Sequence, residues 1–324
     1  MMNRTVNQQR GFSLVEMMIS ITVGLFVVAA LVGVLVSNTR NTKTNENVTE
    51  FFSNGRYALE HLRTEMRHAD YRGYTWPAPQ AATVAIGNEC LSTGKTAGSF
   101  VANLSEGVWG NDGNPYAANC LSAGYLRGDV LVIRRVAPQT LVSPASLASG
   151  EIYFRSSFVQ GKLFQAAASS VATTGDPVVE AQGTPLADFL VRTYVYYIGA
   201  DDSDSNIPAL RRLSLSGAAM VDEQIVSGIE QMQIEYGRAT TDLNTAYYTA
   251  TEIQAGTDPD RDWQDVNSVR VWLLARASRP ESGYLNASTY ALSDITYDPP
   301  DDSFRRQVFT SVIQIRNFHP DVAP

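Results

Sequence analysis

The sequence predicts an α+β chain: one long N-terminal helix, apolar in its first half and amphipathic in its second, packed on a mainly antiparallel β-sheet domain. Three observations predict it. Residues 12–36 form an apolar run with a single charge. Residues 37–72 are polar yet repeat apolar side chains at steps of three and four. Beyond residue 128, short runs rich in β-branched and aromatic residues alternate with turn residues. Almost nothing among them could serve as the helical crossovers that parallel strands need.

The composition, 44 % hydrophobic and 18 % charged over 324 residues, leaves room for a real core in one large domain or two small ones. The formal net charge of −8 and the lack of a basic cluster argue against a nucleic-acid partner.

Residues 1–11, MMNRTVNQQRG, are polar and carry Arg4 and Arg10 but no acid. The next 25 residues run from Phe12 to Val36, and their only charge is Glu16. From Met17 to Val36, 20 residues are uncharged. As helix they span about 30 Å, the thickness of a bilayer's hydrocarbon core. A secretory signal peptide cut after Ala30 fits less well, because the apolar run continues past that point and begins with an acid. A plain signal anchor is a second alternative. A buried core helix is a third, and the run is too long and too uniformly apolar for it. Arg4 and Arg10 before the run and Arg40 and Lys43 after it leave the orientation undecided by charge.

Glu16 is the informative residue. A carboxylate near a membrane interface is costly and needs a partner, and no basic residue lies within the next two helical turns. Cleavage between Gly11 and Phe12 would create an α-amine four residues before it, a natural counter-charge from the same chain or a neighbour.

Gly11-Phe12-Ser13-Leu14-Val15-Glu16, followed by the apolar run, resembles the class III signal of type IV pilins and type II secretion pseudopilins. The resemblance implies a pilin fold. It implies that a membrane aspartyl peptidase, the prepilin peptidase, cuts after Gly11 and methylates Phe12. It also implies that Glu16 pairs with the amine of an adjacent subunit during assembly. Removing Arg4 and Arg10 would take the formal charge from −8 to −10. Gly24 and Gly33 each weaken the apolar helix by roughly 0.5–1 kcal/mol relative to alanine. Major pilins often have a proline near the place of Gly33, and here it is lacking. Small residues there also suit close helix packing.

On residues 37–72 the expected apolar stripe is Val48, Phe52, Gly55, Leu59, Leu62, Met66 and Ala69, read as a core-packing face. Residues 73–324 form the expected β-rich domain. Within it, residues 73–128 read as an irregular insertion with Trp76, Trp109 and the two cysteines, Cys90 and Cys120. In an exported domain that pair reads as a disulfide worth about 3–4 kcal/mol; in the cytosol it would be two free thiols. Strands are expected at 129–136, 151–158, 163–165, 189–198, 210–215, 269–277 and 307–316, with a polar hairpin loop at 199–208. Residues 225–236 are ambiguous between helix and strand, with strand favoured after Gly228.

A more particular likeness lies in Ala58-Leu59-Glu60 with Leu62-Arg63, Asp262-Trp263 with Val266, the run Val269–Arg276, Arg305-Arg306-Gln307-Val308-Phe309, and Ile315-Arg316-Asn317. Together these resemble PilW-type minor pilins, which are related to the J-type minor pseudopilins. The resemblance implies a single-pass protein of the bacterial inner membrane whose domain lies in the periplasm and later at a pilus tip. Its implied partners are other minor pilins, a tip adhesin and the major pilin, with the prepilin peptidase acting on it. A minor pseudopilin of a secretion system is the rival, and a membrane-anchored enzyme or solute-binding protein the remote one.

No catalytic site, cofactor or metal site is expected. The three histidines, His61, His68 and His319, join no catalytic arrangement or zinc spacing. The acidic runs 202–206 and 258–262 alternate oxygen ligands but lack the glycine and glutamate that an EF-hand requires at its sixth and twelfth positions.

Overall fold

The structure, a computed structural model, describes residues 11–75, 86–90, 100–113, 120–121, 124–139, 147–158, 161–165, 187–239, 244–255 and 263–318. The chain divides into two compact units, Met1–Thr49 and Glu50–Pro324. The described part of the first is the leading stretch of helix α1, Leu14–Arg67.

In the second unit α1 runs on to Arg67, five residues short of the expected end. Asp70 explains the stop. It adopts a left-handed backbone (φ 62°) and gives its N–H to the Arg134 carbonyl at 3.0 Å, so the chain leaves the helix and joins the sheet. Arg72 then bonds the Asp70 carboxylate through Nε and Nη2, at 2.9 and 2.7 Å. The buried seam is Phe51, Gly55, Ala58, Leu62 and Met66. The helix is thus turned slightly from expectation: Phe51 and Ala58 face inward where Phe52 and Leu59 were expected.

The first sheet has the order β1 (Val108–Asn111), β2 (Tyr125–Val136), β5 (Ala187–Ala200), β3 (Ile152–Ser156) and β4 (Gly161–Gln165), and every pair is antiparallel. The 14-residue β5 organises it. Ala187–Leu190 pair with β3, while Tyr194–Ala200 pair with β6 (Pro208–Ser216), which in turn pairs with β7 (Ala219–Ser227). The hairpin predicted at 199–208 is the β5–β6 turn. Strand β7 was not expected; its sequence, AMVDEQIVS, carries two acids and does not alternate apolar with polar residues.

The sheet is covered on both faces. On one, Val130, Val132, Phe154, Phe189, Val195 and Leu213 form a core with Cys90, Val101 and Leu104 of the insertion. On the other lies the helix: His61 Nε2 meets Tyr196 Oη at 3.0 Å, and Arg135 pairs with Glu65 at 2.8 Å.

The second sheet runs β13 (Arg306–Gln314), β10 (Val266–Arg276), β8 (Ile229–Ala239) and β9 (Thr245–Tyr248), again antiparallel. The segment favoured as strand after Gly228 is β8. A small hairpin, β11 (Tyr290–Leu292) with β12 (Ile295–Tyr297), and the five-residue helix α2 (Ala250–Gln254) complete the described elements. Helix and second sheet meet at Gly55, where an added Cβ would stand 2.3 Å from the Phe309 ring. Only a glycine allows that approach.

The two sheets join where β9 is too short to cover β8. The backbone N–H and C=O groups of even-numbered β8 residues turn away from β10, and β9 pairs with β8 only from Tyr236 onward. Into the gap comes the bulge of β2. Gly128 (φ 81°) lies against Met232, and the Asp129 carboxylate accepts the Ile234 N–H at 2.7 Å. Beside this seam Trp263 meets Trp109 at a tilt and Tyr236 edge-on, with centroids 5.9 and 4.8 Å apart.

Candidate assembly site

Helix α1 begins at Leu14, with Ser13 O accepting from Met17 N at 3.1 Å. Gly11 and Phe12 precede it and are open to solvent, Phe12 at 85 % exposure. Glu16 lies in the first helical turn, where the positive end of the helix dipole favours an acid. Every residue from Gly11 to Arg40 is exposed, including the whole apolar run. An added Cβ at Gly24 or Gly33 would meet nothing within 4 Å, so neither glycine is demanded by this chain's own packing. The hydroxyls in the run turn inward: Ser20 Oγ donates to Glu16 O at 2.7 Å, and Thr22 Oγ1 to Ile19 O at 2.9 Å. The described residues of this stretch form an apolar rod with one carboxylate near its start and its side chains exposed. Such a surface belongs in lipid or against other apolar helices.

Within the second unit, Cys90 and Cys120 form a disulfide, Cα atoms 5.0 Å apart across a sequence separation of 30. It holds together a loop that Glu89 also organises, since its Oε1 accepts the N–H groups of Phe100 and Val101 at 3.2 and 3.1 Å.

His61 and His68, seven residues apart on α1, do different things. His61 bonds Tyr196, and burial and nearby Arg212 lower its pKa; His68 Nδ1 bonds the Thr64 carbonyl at 2.8 Å. In the acidic turn, Asp201 accepts from Ser203 N at 2.8 Å and from Gln224 at 2.7 Å, and also from Ser227. Burial opposes ionisation there, but the bonds from Ser203, Ser227 and Gln224 outweigh it and hold the carboxyl well below the usual range. Asp202 pairs with Arg211 at 2.6 Å. These carboxylates are engaged by the protein's own donors. Arg4, Arg10, Trp76, Asp258, Asp260, Asp262 and His319 lie outside the described residues.

One buried constellation was not foreseen. The Glu230 side chain, 2 % exposed, bonds Arg306 Nε at 2.5 Å and lies 3.6 Å from Arg127 and 3.9 Å from Arg276. Arg306 turns its other side to Asp302, with two contacts of 2.7 Å. Arg276 and Arg306 entered the sequence reading only as marks of a family likeness. The available signal was a glutamate beside an inward-facing apolar residue in IEQMQIEY.

Comparison with known proteins places these features. The family model described as "Type IV Pilus-assembly protein W" matches residues 195–317, from the middle of β5 to just past β13. The prokaryotic N-terminal methylation motif matches residues 6–32, spanning Gly11, Phe12, Glu16 and most of the apolar run. These two matches, one to the sheet region and one to the N-terminus, support reading the chain as a type IV minor pilin. A solved type IV-like pilin from Thermus thermophilus aligns over 85 % of this chain and 98 % of its own, at 13 % identity and a TM-score of 0.34, too low to support a conclusion. No curated protein matches the chain. The methylation motif and the one helix long and apolar enough to cross a membrane support a chain anchored through that helix.

Proposed function

We propose that the chain is a minor pilin that is cut between Gly11 and Phe12, methylated on Phe12, and built into the tip of a type IV pilus. There it helps to prime assembly, together with other minor pilins and a tip adhesin. The observation that supports this best is the uncovered apolar rod with Glu16 near its start. Moving that rod from bilayer to an apolar filament core costs little, because both surroundings are apolar. Glu16, by contrast, gains a partner only when a neighbouring subunit brings its new amine. The charge therefore selects the register of the incoming helix, while the apolar surface supplies the contact area. The domain supplies surfaces for partner subunits and requires no chemistry of its own.

The N-terminal mass of the chain from membranes and from sheared pili tests this. The expected species begins at methylated Phe12. Gly11→Val should leave the leader attached, and Glu16→Ala should be processed but scarce in pili, with an unchanged domain melting temperature. A mature chain that still begins at Met1 would overturn the proposal.

A further inference from the structure

The second sheet ends in a strand edge built to be extended. Ala277 N bonds Arg305 O and Ile315 N bonds Asn267 O, both at 2.9 Å, which brackets the β10–β13 ladder. In an antiparallel pair the bonding direction alternates. Odd-numbered residues of β13 therefore bond β10, and Arg306, Val308, Thr310, Val312 and Gln314 turn their N–H and C=O groups outward. Among the described residues, two of those carbonyls, at Val308 and Val312, receive only side-chain bonds, from neighbouring Gln307 and Ser311.

Natural edges are normally short, charged, bulged or covered. Here β1 is covered by α2, with Gln254 Nε2 on Gly110 O at 2.7 Å; β7 is met by Gly87, which bonds Ala218 O and Met220 N; and β9 has four residues. By contrast β13 has nine residues, and from Gln307 to Gln314 it contains no charge and no proline.

Unpaired backbone groups in this pattern are complementary to one thing, an extended chain. The surroundings narrow it further. Phe52, 40 % exposed, stands edge-on to Phe309 with centroids 5.8 Å apart, so the helix offers an apolar shelf next to β13 on the same α1 that carries the assembly rod. Val312 is half exposed on the opposite face. Arg316, just past the strand, is exposed and has no ion-pair partner among the described residues. We infer that β13 is a docking edge for an extended segment of another pilus subunit, alternating apolar and polar side chains, with a carboxylate near Arg316. This rests on the pilus-tip reading above.

The test is Thr310→Pro, with Thr310→Ala as control. Proline at 310 removes an outward N–H and no ladder bond, so the strand keeps its pairing to β10. Both variants should melt within a few degrees of wild type. Thr310→Pro should fall at least ten-fold in sheared pili, while Thr310→Ala stays at the wild-type level. In the purified full-length chain in detergent, the amides of Val308, Thr310 and Val312 should exchange fast and those of Phe309, Ser311 and Ile313 slowly. Wild-type levels of Thr310→Pro in pili would overturn the inference. So would slow exchange at Val308, Thr310 and Val312, or a wild-type dimer that Thr310→Pro dissolves, since the occupant would then be a second copy. Absence of the wild-type chain from pili would instead overturn the pilus-tip reading.

Discussion

Asp129 provides the sharpest test of the seam between the sheets. Its side chain is buried, the residue being 4 % exposed, and accepts the Ile234 N–H. Burial pushes its carboxyl up from 3.8 to about 8; the Ile234 N–H opposes the shift, and the acids Asp112 and Asp294 add to it. Between about pH 4 and 8 the folded chain therefore keeps a proton that the unfolded chain has released. The sign follows: this contribution to stability is fully present below about pH 4 and is lost as pH rises through about 8. A pKa unit corresponds to about 1.36 kcal/mol, so a shift of four units corresponds to roughly 5 kcal/mol across that window. Asp129→Asn retains an acceptor for Ile234 and cannot ionise. Its urea unfolding, followed by tryptophan fluorescence in the full-length protein, should match wild type near pH 4. It should then exceed wild type by about 1.4 kcal/mol for each further pH unit, levelling off near pH 8. Parallel pH profiles for the two proteins would refute the reasoning, because they would mean that Asp129 ionises as freely in the fold as in the open chain.

Replacing Cys90 and Cys120 by alanine should cost about 3–4 kcal/mol, from the loop entropy of a 30-residue separation, read as a lower urea midpoint with a slope that rises as the unfolded chain loses its cross-link. Glu230→Leu, which strands the buried side of Arg306, should cost about 3–5 kcal/mol. Joint replacement of Glu230 and Arg306 by apolar residues should recover part of that loss in a double-mutant cycle.

The helical part of the fold was legible because its signals are local. Twenty uncharged residues and a repeating apolar seam need no knowledge of distant chain. Even there the seam was misread at Phe51 and Ala58, since two adjacent phenylalanines satisfy the same spacing. The N-terminal methylation motif was legible for the same reason: Gly11, Phe12 and Glu16 lie within six residues of one another. What sequence could not show depends on partners far along the chain. The end of α1 is set by the Arg134 carbonyl, the burial of Asp129 by a bulge at Gly128 that aims it at β8, and the place of Glu230 by Arg306, 76 residues later. Strand β7 escaped notice because its sequence lacks the apolar–polar alternation that marks a half-buried strand. The division of the strands into two sheets had no sequence signal, since it follows from β9 ending early.

Within the second unit, the grip on α1 is distributed along its length. Phe309 presses on Gly55, Tyr196 holds His61, Arg135 holds Glu65, and Asn317 donates to the carbonyls of Arg67 and Ala69. A load applied along the helix axis would strain these attachments together, as in a lap joint, whereas a sideways pull would peel them one after another. A subunit fastened this way resists tension along its stem far better than it resists being pried from its bed.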